Sequence, residues 1–216
     1  MGPLDLSWLS SEAGGAYEGC VNLTGSPACG PNVISMVSAY KDCTNLTGKP
    51  VCGDKVVYMG GTGGGWFDTI PGAYENCINL TGKPVCGNNV THMGNAYRGC
   101  AKLTGAPVCG PNVIHMGNAY CNCTNLSGNA YFYSPNVETM GCCFMGRNNS
   151  KRLNIYLLAN STTYSTASRP YALGDNTIIG PNINWTKNNK CTYNKTYNIY
   201  IYPVKNVAAA RAANGD

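Results

Sequence analysis

A mainly β solenoid is predicted for this chain by three observations: a turn-and-strand composition, a recurring 23-residue unit, and a change of pattern after the last copy. Charged residues are only 12% of the 216 residues, whereas Gly, Asn, Thr, Ser and Tyr are abundant. Such residues favour turns and half-buried strands over helices. The stretch "CTNLTGKPVCG" at 43–53 returns as "CINLTGKPVCG" at 77–87, with looser copies at 20–30 and 100–110. Ala-Tyr marks the period at 16–17, 39–40, 73–74, 96–97 and 119–120, so the spacings are 23, 34, 23 and 23. One unit therefore carries an 11-residue insertion.

Counting from Ala as position 1, the unit reads A-Y-x-x-C-x-N-L-T-G-x-P-V-C-G-x-N-V-x-x-M-x-x. Each copy has too few apolar residues to close a core alone, and stacking would join the Tyr, Cys, Leu, Val and Met columns into one interior. The predicted core columns are Cys20, Cys43, Cys77, Cys100 and Cys123 at position 5, with Leu23, Leu46, Leu80, Leu103 and Leu126 at position 8. Cys29, Cys52, Cys86 and Cys109 at position 14 complete them. A 23-residue period is too short for a helix pair and fits one coil of a leucine-rich-repeat-like solenoid, here about five coils joined by parallel β ladders about 4.8 Å apart.

The expected organisation is an N-terminal segment at 1–15, the solenoid at 16–146, a small β cap at 147–205 and a tail at 206–216. The insertion "GTGGGWFDTIPG", 61–72, offers Trp66 and Phe67 as a contact point, or as aromatics folded back on the flank. In the cap, 152–159, 176–186 and 196–204 read as strands; alternation places Ile199 and Ile201 on one face and Tyr200 and Tyr202 on the other. The tail has helical propensity but is too short to be stable alone, which points to docking on a neighbouring subunit.

The segment "MGNAYRGCAKLTGAPVCGPNVIHMGNAY" (93–120) resembles the BspA-like (Treponema-type) leucine-rich repeat, with Tyr in place of Phe and the Val and Met one residue late. This Cys-rich version is also similar to repeat proteins of phages and prophages of Gram-positive gut bacteria. The resemblance covers about residues 16–205 and implies architecture more specifically than function: the family mostly displays and binds.

Cysteines nine residues apart in every copy follow the repeat, and the paired close spacings of a zinc site are missing. Free thiols in a narrow core are the expected state; Cys121, Cys142, Cys143 and Cys191 are the candidates for disulfides. His92 and His115 share position 20 with Ser35 and Tyr58. The two imidazoles could share a metal, but no acidic residue recurs beside them and a solvated column is the favoured reading. Tyr58, His92 and His115 thus join Trp66 and Phe67 as candidate contact residues. No catalytic set, cofactor or metal site is assembled from sequence.

Ten Asn-x-Ser/Thr sequons occur, four at position 7 (Asn22, Asn45, Asn79, Asn125). Glycans could hardly crowd at one coil's pitch, so these read as a hydrogen-bonding Asn column between two inward residues, or as plain repeat identity. Glu18, Lys41, Glu75 and Arg98 alternate in sign at position 3, as neighbours in a stack would. Net charge is +5: residues 147–216 hold nine Lys/Arg against two Asp, +7, leaving −2 for the rest. The basic end speaks weakly for nucleic acid, and no apolar run of 18 residues speaks for membrane insertion. The start lacks a signal peptide's basic and apolar regions, so the chain is either not exported that way or a fragment.

These readings make the chain a non-enzymatic scaffold on a phage particle, a tail or head appendage or decoration protein. Its partners would be virion proteins or a bacterial surface receptor, within a homo- or hetero-oligomer. The alternatives are a fragment of a bacterial cell-surface adhesin and a carbohydrate-binding module.

Overall fold

The computed structural model describes residues 14–61, 70–148, 150–158, 186–187 and 192–216. Its regular structure is mainly β, with one helix. Strands β1 (Gly128–Phe132), β2 (Leu153–Leu158), β3 (Thr186–Lys187), β4 (Thr192–Asn194) and β5 (Ile199–Val204) form one sheet in the order β1-β2-β5-β4-β3. β1, β2 and β5 run parallel, and β4 and β3 continue the sheet antiparallel. Of the strand expected at 176–186, only Thr186 falls within the described residues.

Each repeat unit begins with a tight turn, in which the Cys N–H at position 5 donates to the Tyr carbonyl at position 2 (Cys43 to Tyr40, 3.1 Å; Cys77 to Tyr74, 3.1 Å). That turn leaves position 4 in the left-handed region: Gly19, Asp42, Asn76, Gly99, Asn122 and Gly146 have φ between 60° and 78°. All six are residue types that tolerate this conformation. Successive units bond through their backbones in parallel. Tyr58 N–H donates to Ile34 O, His92 to Val57 O, His115 to Thr91 O and Thr139 to Ile114 O, and the returning bonds run from Met36, Met59, Met93 and Met116. The result is a run of single parallel bridges, Ser35–Tyr58–His92–His115–Thr139; on another side of the units a separate bridge, Cys109–Phe132, leads to β1, which pairs with β2 as a true ladder.

The core follows the sequence columns closely. Leu23, Leu46, Leu80, Leu103 and Leu126 are buried, as are the Val and Met columns. Tyr17, Tyr40, Tyr74, Tyr97, Tyr120 and Phe144 stack face to face at 5.4–5.8 Å. The hydroxyl of each buried Tyr from Tyr40 to Tyr120 closes a backbone gap in the preceding unit: Tyr97 Oη donates to Val85 O (2.7 Å) and accepts from Val85 N–H (3.2 Å). Two column predictions need correction. Cys20 is exposed, because only Cys43 of its column flanks it within the described chain. Cys29, Cys52 and Cys86 are half-buried, since they lean on the edge glycine of the next unit, and only Cys109, next to Phe132 of β1, is buried.

The insertion is spliced in at a turn. Elsewhere Ala at position 1 donates to the Met three residues before it (Ala39 to Met36, 3.0 Å; Ala96 to Met93, 3.1 Å). Ala73 makes the same bond to Met59 at 2.7 Å across the whole insertion. Its neck is tight, because a Cβ on Gly60 or Gly72 would run into the Gly94 or Asn95 carbonyl of the next unit. Deleting residues 61–71 restores Met59-Gly60-Gly72-Ala73, the ordinary Met-x-x-Ala spacing. The shortened chain is expected to keep its near-UV circular dichroism and to unfold within about 1 kcal/mol of the parent; collapse of either signal would mean that the insertion is part of the core.

In the cap, Leu153, Ile155, Ile199 and Ile201 face inward, as the alternation predicts. Outside, Tyr131, Tyr156 and Tyr202 stack at 4.9 and 5.0 Å. Helix α1 (Val207–Asn214), capped by Asn206 and ended by Gly215 in the left-handed conformation, docks on this face of its own chain, where the sequence pointed to a neighbouring subunit. Tyr156 Oη donates to Asn214 (2.7 Å), Arg211 donates to Tyr133 Oη (2.8 Å), and Tyr131 Oη donates to Asp216. A strip of tyrosine hydroxyls supplies the partners that a two-turn helix lacks alone.

Candidate functional site: the position-20 column and its groove

Three exposed or half-exposed columns lie side by side. Position 17 carries Asn32, Lys55, Asn89 and Asn112, and position 19 carries Ile34, Val57, Thr91 and Ile114; in the fifth unit, which runs one residue late, Asn136 and Glu138 take these places. Most of these line a shallow groove of about 560 Å³. Its amides are tied from unit to unit: Asn89 Nδ2 donates to Asp54 O, Asn112 Nδ2 to Asn88 O, and Lys55 Nζ to Asn32 Oδ1. The Asn column at position 7 is built the same way: Asn45, Asn79 and Asn125 each donate to a backbone carbonyl of the preceding unit at 2.8 Å. These asparagines thus act as cross-unit braces, and repeat identity alone does not account for them.

Beside the groove runs position 20. Tyr58, 42% exposed, lies 5.2 Å from the His92 ring, and His92 lies 4.8 Å from His115, with planes tilted by 47° and 55°. Thr91 Oγ1 meets His92 Nδ1 at 2.8 Å, and Thr139 Oγ1 meets His115 Nδ1 at 3.2 Å. Burial, then the neighbouring His115, lowers the His92 pKa below its ordinary value, which keeps that ring neutral at neutral pH. The structure therefore brings Tyr58, His92 and His115 together. Trp66 and Phe67 lie outside the described residues.

The thiols form a separate, inward system. All twelve described cysteines are free, including Cys121, Cys142 and Cys143; Cys191 is outside the described residues. Cys43, Cys77, Cys100 and Cys123 each donate to the Tyr carbonyl of the preceding unit at 2.9 Å. Burial pushes the Cys43, Cys86 and Cys121 thiols up to about 11 and Cys52 up to about 12. Protonated, shielded thiols are poor nucleophiles. With a thiol-reactive disulfide reagent at pH 8, replacing Cys20 by Ser is expected to remove one fast-reacting thiol per chain, and replacing Cys77 none. An undiminished fast phase in Cys20→Ser would contradict the assignment.

Opposite charges meet at two junctions of position 3, Lys41 with Glu18 at 2.6 Å and Arg98 with Glu75 at 3.0 Å. Sequence reasoning missed one residue of consequence, Arg147. It occupies position 5 of a degenerate sixth unit, where the others carry Cys, and is only 4% exposed. Its guanidinium donates to Leu126 O by Nε (3.1 Å) and Nη2 (2.6 Å), and also to Lys151 O and Tyr197 O. Aligning Phe144 with the Tyr column would have found it. Among the described residues no group of three or more His, Cys, Asp or Glu is placed to hold a metal, and no helix is long and apolar enough to cross a membrane. No family model, no curated protein and no solved structure matches this chain.

Proposed function

We propose that residues 16–146 form a leucine-rich-repeat-like solenoid of about five 23-residue coils, and that the chain serves as a non-enzymatic scaffold on a phage particle. The observation that carries the reading is the unbroken ring column from Tyr17 to Phe144, reinforced at each step by backbone bonds between successive units. Such a stack is stiff and repeats its surface at a fixed pitch, which suits holding and presenting. The Tyr58–His92–His115 column and the groove beside it are the face offered to a virion neighbour or a bacterial surface receptor. Protonated inward thiols suit a chain made and assembled in a reducing cytoplasm. The particle itself enters through the resemblance of the repeats to Cys-rich phage and prophage proteins.

The test is to raise antibody against the chain and probe purified particles by gold-label electron microscopy and peptide mass spectrometry. Label at one particle structure is the expected result. Chain found only in the bacterial wall fraction would replace this reading by the adhesin alternative.

A further inference from the structure

We propose that His92 and His115 form a two-imidazole site for a divalent transition-metal ion of the imidazole-preferring class, Ni2+, Zn2+ or Cu2+, on the solvent side of the repeat array. The pair sits on adjacent rungs of one parallel bridge run, His92 opposite His115, so the backbone fixes its register. With a metal–nitrogen bond of about 2.0–2.1 Å, a ligating imidazole's ring centre lies about 3.2 Å from the ion. Two rings on one ion then have centres about 4.5 Å apart at a right angle and about 5.2 Å apart at the tetrahedral angle. The observed 4.8 Å lies between these limits.

The surroundings prepare the pair for that role. Each ring has its Nδ1 at a threonine hydroxyl, Thr91 for His92 and Thr139 for His115. When Nδ1 carries the proton and donates to the hydroxyl, the Nε2 lone pair is the one left for a metal. A ligating histidine is commonly oriented by such a bond from its other nitrogen. Neither Nε2 has a hydrogen-bond partner among the described residues. Two protein ligands leave coordination positions open to water, or to a donor group on a docked partner. The site would then act as a joint between molecules.

The experiment titrates Ni2+ calorimetrically into the full chain at pH 7.5 with a phosphine reductant present. It compares wild type, His92→Gln, His115→Gln, the double replacement of both histidines by Gln and, for thiol binding, Cys20→Ser. Wild type and Cys20→Ser are expected to take up one ion per chain, and each histidine replacement to weaken that uptake at least tenfold. In wild type, histidine Hε1 resonances of positions 92 and 115 should broaden together with Ni2+, a readout that needs no variant to fold. Undiminished uptake in the double replacement, absent uptake at millimolar Ni2+, or broadening of only one of the two resonances would each overturn the proposal.

Discussion

Replacing Arg147 by Ala is expected to lower the unfolding free energy by about 3 kcal/mol and to loosen the cap from the repeats. The arithmetic starts from three carbonyls on three chain segments, Leu126, Lys151 and Tyr197, all served by one guanidinium. A buried acceptor left without a donor costs about 1–3 kcal/mol. Against this, the charge itself is held at a cost: burial lowers the Arg147 pKa to about 10. The net loss is therefore smaller than the sum of three stranded carbonyls. Arg147→Lys should recover little, because one ammonium cannot reach three acceptors in the plane of a fork. Urea unfolding followed by tyrosine fluorescence is the measurement. The cap tyrosines should report an earlier transition than the repeats in Arg147→Ala, and a single unshifted transition would show that Arg147 is a passive filler.

Tyr97 provides the second large effect, and it separates ring from hydroxyl. Tyr97→Ala removes a fully buried ring stacked on both faces, between Tyr74 and Tyr120. Large aromatic truncations in cores cost about 3–5 kcal/mol. Tyr97→Phe keeps the stack but strands the N–H and C=O of Val85, for about 1–3 kcal/mol. The last rung supplies the converse. Phe144 ends the column where the preceding unit runs as β1 and is paired to β2, so no hydroxyl is called for. Phe144→Tyr is therefore expected to destabilise, although it makes the column more uniform. If chemical denaturation finds Tyr97→Phe neutral and Phe144→Tyr stabilising, the hydroxyls do not brace the backbone.

What the sequence disclosed depends on whether a role is written in apolar period or in polar detail. The Leu, Val, Met and Tyr columns were legible because burial demands the same residue class in every copy. The position-7 asparagines repeat just as plainly, but repetition alone left open whether they brace the units, which their bonds to the preceding unit decide. Position 4 was not, since Gly, Asp and Asn look dissimilar until their shared left-handed backbone is seen. Arg147 was hidden because it stands in a cysteine's place and answers to the cap. The partial exposure of Cys29, Cys52 and Cys86 depends on which side of a bend they occupy, which period cannot tell. The tail's helical propensity was readable, but its docking surface was not: Tyr131, Tyr156 and Tyr202 come from three separate strands.

The Ala73 to Met59 bond makes the turn a socket. A turn that closes identically with or without an 11-residue excursion lets outside sequence change without informing the core. The same Met-to-Ala closure recurs before Ala39, Ala96 and Ala119. The array thus has several sockets at one-unit pitch, of which this chain fills one. An excursion at such a socket leaves the Tyr and Cys columns, which carry the contacts from unit to unit, untouched.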